Sequence, residues 1–335
     1  MATQDATSPQ TLKEWANRMA PGKKSLMKIV EALSQKNSIL ENIIWDEANN
    51  GTTNLITQRT YEPQGSERQI NKGVPVTGSR TKTLSEGSCM LEDYSEIDEA
   101  LLDLYADKPT ARLNEDTAHM NGMKKLFAQR LFYGTGQGEQ ILGLANRFNL
   151  VDNVSCYDNS DGNGSVTANK TSLYIVQWSK DTCHLHFPQN TSDMGIQMND
   201  MGKCPVEETV NNVRTLRQVW RTQFKLRFGL SVKDARAVMR LANISTSGID
   251  SVDDFSANID RLIDMLTFLE YSEGVRTEIY CNRTIMSQLR KHSKDKINTQ
   301  LDPANPAGVP ITTFDGIPIK RVDQIVNTEG LVLAA

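Results

Sequence analysis

Residues 50 to 90 set the tightest limit on how this chain can fold. Short alternating runs such as Leu55 to Tyr61 are separated by turn signals at Pro63-Gln64-Gly65, Lys72-Gly73 and Thr77-Gly78. Large apolar side chains are few. The pattern predicts a long two-stranded ribbon with no core of its own. An isolated ribbon is marginal in water, so its stability has to come from a surface elsewhere. The composition points the same way. Of 335 residues, 38% are hydrophobic and 6% aromatic, low for a chain that must bury one large or two ordinary cores. Such a chain spends part of its length as arms or loops packed on neighbours.

The segments around the ribbon are mixed α+β. Ser8-Pro9 is a helix N-cap followed by Pro at the first helical position, and a short helix through Trp15 should stop near Pro21-Gly22. Leu26, Ile29, Val30 and Leu33 predict a second helix from Ser25, continued by Ile39, Leu40, Ile43 and Ile44. After the ribbon comes an acidic stretch, Glu92 to Asp107. Ile97, Leu101, Leu104 and Tyr105 give it a helical face, with Leu101 expected at a subunit contact. Lys108-Pro109 breaks it. The longest helix is expected from Thr110 to Tyr133, with Met120, Met123, Phe127 and Leu131 as its apolar stripe and Gly134-Thr135-Gly136 as its end.

Further on, 150–170 is a polar loop and 189–205 is irregular. Strands are expected at Leu173 to Trp178, Cys183 to Phe187, Thr277 to Cys281, Ile317 to Val322 and Leu331 to Leu333. Arg214 to Phe228 fits helix or strand. Lys233 to Leu241 and Ile259 to Leu269 are expected to be helical, Asn282 to cap a helix reaching His292, and Pro303, Pro306 and Pro310 to punctuate a loop.

The net charge of -4 excludes a histone-like DNA binder, whose affinity rests on excess Lys and Arg. Five scattered cysteines, Cys89, Cys156, Cys183, Cys204 and Cys281, fit free thiols in a reducing cytoplasm. Met1 to Gln10 lacks the apolar core of a signal peptide, and no run reaches the ~20 apolar residues of a membrane span.

No catalytic pattern stands out. Gly134-x-Gly136-x-Gly138 lacks the sixth-position Gly of a dinucleotide fingerprint and the Lys of a P-loop, which leaves a flexible helix exit. Cys183, His184 and His186, with Cys204 downstream, are a weak metal candidate without paired Cys-x-x-Cys spacing. The other histidines are His119 and His292, and no nucleophile elbow accompanies any of the four. Catalytic, cofactor-binding and metal residues are therefore expected to be none. Arg214, Arg217, Arg221 and Lys225, beside Trp220 and Phe224, would share one side of a helix. They fit either a charged inter-subunit surface that meets a neighbour's acidic stretch or a nucleic-acid patch within Arg214 to Arg240.

Several stretches together resemble the major capsid proteins of short-tailed phages typified by epsilon-fifteen, which share the Hong Kong 97 capsid fold. They are Leu12-Lys13-Glu14-Trp15-Ala16-Asn17 with Met19-Ala20-Pro21, Ile29-Val30-Glu31, Leu33-Ser34-Gln35-Lys36-Asn37 and Glu67-Arg68-Gln69-Ile70-Asn71-Lys72-Gly73-Val74. Phe132-Tyr133-Gly134, Gly143-Leu144-Ala145-Asn146-Arg147-Phe148, Phe228 through Arg236, Leu241-Ala242-Asn243-Ile244 and Phe314-Asp315-Gly316-Ile317-Pro318-Ile319 complete the set. They are dense enough to imply a close relative of the type member.

The resemblance implies an N-terminal arm at 1–45, an extended ribbon loop at 46–92 and a peripheral domain with a spine helix at 93–145. An axial domain at 146–300 and closing strands at 301–335 follow. It implies a non-enzymatic shell subunit that assembles with itself as hexamers and pentamers around double-stranded DNA, without sequence-specific binding and without a membrane. The implied partners are a separate scaffolding protein, a portal and a cementing or decoration protein. The implied location is the virion capsid, assembled in the host bacterial cytoplasm. No covalent cross-link is expected at Lys72 or Lys82.

Overall fold

The computed structural model describes residues 39, 43–159, 169–191, 195–210, 213–246, 252–269, 275–295 and 313–333. The expected helices at 8–15 and from Ser25, and the loop of Pro303, Pro306 and Pro310, fall outside them. In chain order the elements begin with β1 (Trp45–Glu47), β2 (Thr53–Tyr61), β3 (Arg80–Asp98), α1 (Glu99–Leu102), α2 (Lys108–Tyr133) and α3 (Leu144–Arg147). Next come β4 (Cys156–Asp158), β5 (Lys170–Trp178), β6 (Cys183–Phe187), β7 (Gln197–Val210), β8 (Val213–Val232) and β9 (Val238–Ser245). The last are α4 (Val252–Phe268), β10 (Arg276–Cys281), α5 (Arg283–Asp295), β11 (Thr313–Phe314) and β12 (Ile317–Arg321). They form two compact units, each discontinuous in sequence. One holds 90–127 and 193–227; the other holds 36–89, 128–192 and 228–335.

The larger unit is built on β5, every residue of which is buried. It runs antiparallel to β10 on one side and to β9 on the other. β12 extends the sheet parallel to β10, and β4 extends it parallel to β9. Strand alternation sends Leu173 and Ile175 to one face. There they join Ile259, Leu262, Met265 and Leu266 of α4 and Ile285, Met286 and Leu289 of α5 in one core. Tyr174, Val176 and Trp178 point the other way. Phe132, from the last turn of α2, packs its ring 5.0 Å from that of Tyr174. Burying aromatics of this size stabilises by ~1.5–3 kcal/mol each. The end of α2 is thus fixed to the sheet.

Asn282 caps α5 as its sequence predicts: its Oδ1 accepts the backbone N–H of Ile285 at 2.9 Å. Its Nδ2 also donates to Thr171 Oγ1 at 2.8 Å and Asn327 Oδ1 at 2.5 Å. Asn282→Ala should therefore cost about 2 kcal/mol, the upper end for a lost N-cap, measured as a lowered urea midpoint at unchanged slope.

The ribbon is present. β2 pairs antiparallel with the first part of β3, from Thr53 opposite Gly87 to Arg59 opposite Thr81. Its base is anchored in the larger unit. Asn54 and Ile56 are buried, Gln58 Nε2 donates to the Lys233 carbonyl at 2.7 Å, and Arg147 grips Glu86 at 2.7 and 2.8 Å. Beyond the paired residues the chain is exposed at every position from 62 to 79, including Ile70 at 91% and Val76 at 100%.

In the smaller unit β7 and β8 form a long hairpin, registered from Gln197 opposite Lys225 to Val210 opposite Val213, with a bulge between Asp200 and Gly202. Ile97, Leu102, Tyr105 and Ala111 make a small core, against which Leu101 and Trp220 pack.

Several expectations are corrected. The acidic stretch is not one helix: β3 continues to Asp98, and α1 is four residues long with Asp98 as its N-cap. Leu101 packs inside its own chain, so a charge there attacks the subunit's fold before any contact between subunits. Residues 197–205 are strand rather than irregular, Lys233 to Leu241 is a 3₁₀ turn followed by β9, and Arg214 to Phe228 lies within β8. Ile43 and Ile44 lead into β1 outside any helix. Leu331 to Leu333 is not a strand. It is held by the Asn243 side chain, whose Oδ1 and Nδ2 bond the backbone of Val332 at 2.8 and 2.9 Å.

Candidate functional site

Four of the five thiols lie in the larger unit, and burial pushes their pKa values up. Cys89, Cys183 and Cys281 reach about 12 and Cys156 about 11. They stay protonated at neutral pH, and the thiol form is neither a nucleophile nor a metal ligand. Alternation along β6 puts His184 and His186 on one face and Cys183 on the other, while Cys204 sits on β7 in the other unit. Among the described residues no three His, Cys, Asp or Glu side chains are grouped so as to hold a metal ion.

The Gly134–Gly138 segment is a closed turn rather than a flexible exit. Gly134 N–H donates to Arg130 O, Gly136 N–H to Ile141 O, and Gly143 N–H to Gly134 O. Gly134 has no room for a side chain: a Cβ would stand 2.3 Å from Ile141 O. These N–H groups are spent inside the turn and cannot cradle a phosphate.

Arg214, Arg217, Arg221, Lys225, Arg236 and Arg240 are each matched by a carboxylate of the same chain. Glu96 accepts from Arg217 at 3.2 Å and from Arg221 Nε at 2.9 Å. Lys225 lies 3.9 Å from Glu92, and Lys203 of β7 is 2.6 Å from Glu99. Arg214 pairs with Glu207, Arg236 with Asp234 at 2.8 Å and Arg240 with Glu329 at 2.9 Å. Two aromatics hold this face from the opposite side of β8: the Arg112 guanidinium lies 5.0 Å over the Trp220 ring, and His119 stacks on Phe224 at 6.2 Å. Arg112 also bonds Asp200 at 2.6 Å, and its hydrogen bond is the leading cause of the lowered Asp200 pKa. The acidic stretch therefore meets these basic residues within one chain, which corrects the expectation of a neighbour's stretch. It also weakens the case for a nucleic-acid patch, since cations already paired with carboxylates release few counterions on binding DNA.

Sequence reasoning missed two buried polar clusters, both in the larger unit. In one, Arg240 and Glu329, with side chains 4% and 5% exposed, join Tyr133, Ser172 and the carbonyls of Ala145 and Phe148. In the other, Asn54, His184, His186 and Ser231 meet under the ribbon base. Neither has a local sequence signature, because the bonded partners lie 45 to 196 residues apart.

Among the described residues the candidate sites are held in structural contacts, and the ribbon is exposed at its tip. The sequence profile of one family, described as Major capsid protein GP7, matches residues 21–333. The chain belongs to this family. It is a structural capsid protein of a phage virion and not an enzyme. Among solved structures, the chain in the cryo-EM structure of bacteriophage Epsilon15 is similar over 100% of both chains, with a TM-score of 0.76 and 23% identity. That likeness shows the expected α+β capsid fold. It also corrects the expected closeness: at 23% identity the sequence is far from that phage's chain. A chain of the bacteriophage JBD30 capsid matches over 88% of this chain and 93% of its own, with a TM-score of 0.46 and 9% identity. No curated protein is similar in sequence.

Proposed function

We propose that copies of this capsid protein associate as hexamers and pentamers into an icosahedral head that encloses double-stranded DNA. The observation that carries this reading is the ribbon: its base is clamped into the larger unit, while eighteen residues at its tip, 62 to 79, are exposed, apolar Ile70 and Val76 among them. A segment so built needs another subunit to cover it. In this reading 1–45 is the arm, 46–92 the extended loop over a neighbour, 93–145 the peripheral domain with α2 as its spine, 146–300 the axial domain and 301–335 the closing strands of the axial or peripheral domain. Interfaces of ~1,000 Å² or more, repeated around the shell, supply its stability.

The wall encloses DNA without reading its sequence, which fits basic residues already paired with carboxylates. Scaffolding, portal and cementing proteins are separate chains, assembly takes place in the host bacterial cytoplasm, and Lys72 and Lys82 form no cross-link. The test is electron microscopy with sedimentation of the chain expressed beside its neighbouring phage genes. Closed shells of hexamers and pentamers are expected. A persistent ~37 kDa species would overturn the proposal.

A further inference from the structure

We propose that Asn54, His184, His186 and Ser231 form an acid-released latch that fastens the base of the β2–β3 ribbon to β6 and β8. All four side chains are buried, with relative exposures of 4%, 1%, 0% and 0%. Asn54 Nδ2 donates to Ser231 Oγ at 2.9 Å and faces His184 Nε2 at 3.3 Å. Ser231 Oγ lies 2.7 Å from His186 Nδ1. The donors run one way: the Asn54 amide gives to Ser231, whose single hydroxyl proton passes to His186. With His186 Nδ1 and His184 Nε2 bare, each of these contacts has one donor and one acceptor, and both rings are neutral.

The surroundings disfavour a positive charge. The other ring nitrogens, His184 Nδ1 and His186 Nε2, have no hydrogen-bond partner among the described residues. Against His186 the backbone of β8 is so close that a Cβ on Gly229 would stand 2.2 Å from Nε2, with Gly87 O of β3 2.7 Å from the same point. The charged groups that face the two rings are Asp46 of β1, Lys180 before β6, Lys233 after β8 and Glu86 of β3. Both carboxylates are already committed, Asp46 to Lys180 at 2.8 Å and Glu86 to Arg147. Among the described residues a new imidazolium would find no uncommitted carboxylate facing it, and a second positive ring two residues away.

Burial accordingly holds both imidazoles down, to about 4 from 6.5. A folded-state value below the undocked one means the clamp is complete above pH ~6.5 and weakens as pH falls toward about 4. Protonation reverses two acceptors, places charge in a buried site and favours the state in which Asn54 and the ribbon base have lifted away. The latch joins parts of one chain, so it stands whether or not the ribbon reaches a neighbour.

The test uses the purified full-length chain in whatever state of assembly it is isolated. Hydrogen–deuterium exchange of peptides covering 53–61 and 80–87, corrected for intrinsic rate, follows the ribbon between pH 7 and 4. Exchange at histidine C2 follows the two rings. Ribbon protection should fall at least about tenfold while β5 and β10 hold theirs, and should track the histidine titrations. His184→Gln and His186→Gln, polar but unable to titrate, should keep the ribbon protected at low pH. Protection unchanged down to pH 4, or lost equally in the Gln variants, would overturn the latch. Should the Gln variants fail to fold at pH 7, the wild type decides: histidine and ribbon midpoints that coincide support the latch, and midpoints that differ refute it.

Discussion

Arg240→Ala will destabilise the capsid subunit by about 3–5 kcal/mol, the cost of leaving one partner of a buried ion pair uncompensated. Arg240 reaches Ser172 Oγ through Nε at 3.0 Å, the carbonyls of Ala145 and Phe148 through Nη1 at 2.9 and 2.8 Å, and Glu329 Oε2 through Nη2 at 2.9 Å. Its guanidinium also lies 5.7 Å over the Tyr174 ring. Glu329 in turn accepts from Tyr133, at the end of α2, and from Ser172 of β5. Burial first, then the neighbouring Tyr174 and Glu329, push the Tyr133 pKa well up and keep its phenol a donor. Removing Arg240 strands a carboxylate and two carbonyls in the interior. Whole-domain stabilities are ~5–15 kcal/mol, so loss of soluble protein at 37 °C is expected, and urea unfolding at 15 °C should show the deficit. Arg240→Met with Glu329→Leu should recover part of it, since no buried charge is then left alone. A single variant within about 1 kcal/mol of wild type would mean that solvent reaches the pair.

The sequence made some of this fold legible and hid the rest for identifiable reasons. The ribbon, α2 and the Asn282 cap were readable because their signals are local: turn residues, a stripe at helical spacing, a polar side chain ahead of an apolar run. β8 was ambiguous because Arg217, Arg221 and Lys225 recur every four residues, and a four-residue spacing returns to the same face of a helix and of a strand alike. Arg214, Trp220 and Phe224 separate the two cases, since a strand sends them to the face opposite Arg217, Arg221 and Lys225. β9 was missed because Met239 to Ile244 is buried on both faces, which erases the period of two. β7 was missed for the converse reason: its described side chains are largely exposed, and its order comes from pairing with β8. The histidine and Arg240 clusters were invisible because each is assembled from strands far apart in sequence. His184 and His186 were noticed as neighbours on one face, but the ribbon residue that meets them could not be.

Ile70→Asp combined with Val76→Asp should abolish shells while leaving the isolated subunit untouched. Ile70 and Val76 are 91% and 100% exposed in the chain, and surface changes away from partners usually stay within about 0.5 kcal/mol. Unfolding of the unassembled double variant should therefore match wild type. On the proposed assembly both side chains are covered by a neighbour. Each would then contribute ~1.5–3 kcal/mol of apolar burial, and an aspartate in the same place would add the cost of taking a charge out of water. Together the two changes remove at least ~3 kcal/mol per contact, more than a hundredfold in its association constant. Because every subunit of a closed shell repeats that contact, the loss compounds. Sedimentation should show free subunits and small oligomers, whereas Ile70→Leu combined with Val76→Leu, which keeps the apolar surface, should still give particles. Particles at wild-type yield from the double Asp variant would show that the ribbon tip stays in solvent in the finished shell. The stability of the ribbon would then have to rest on its clamped base alone.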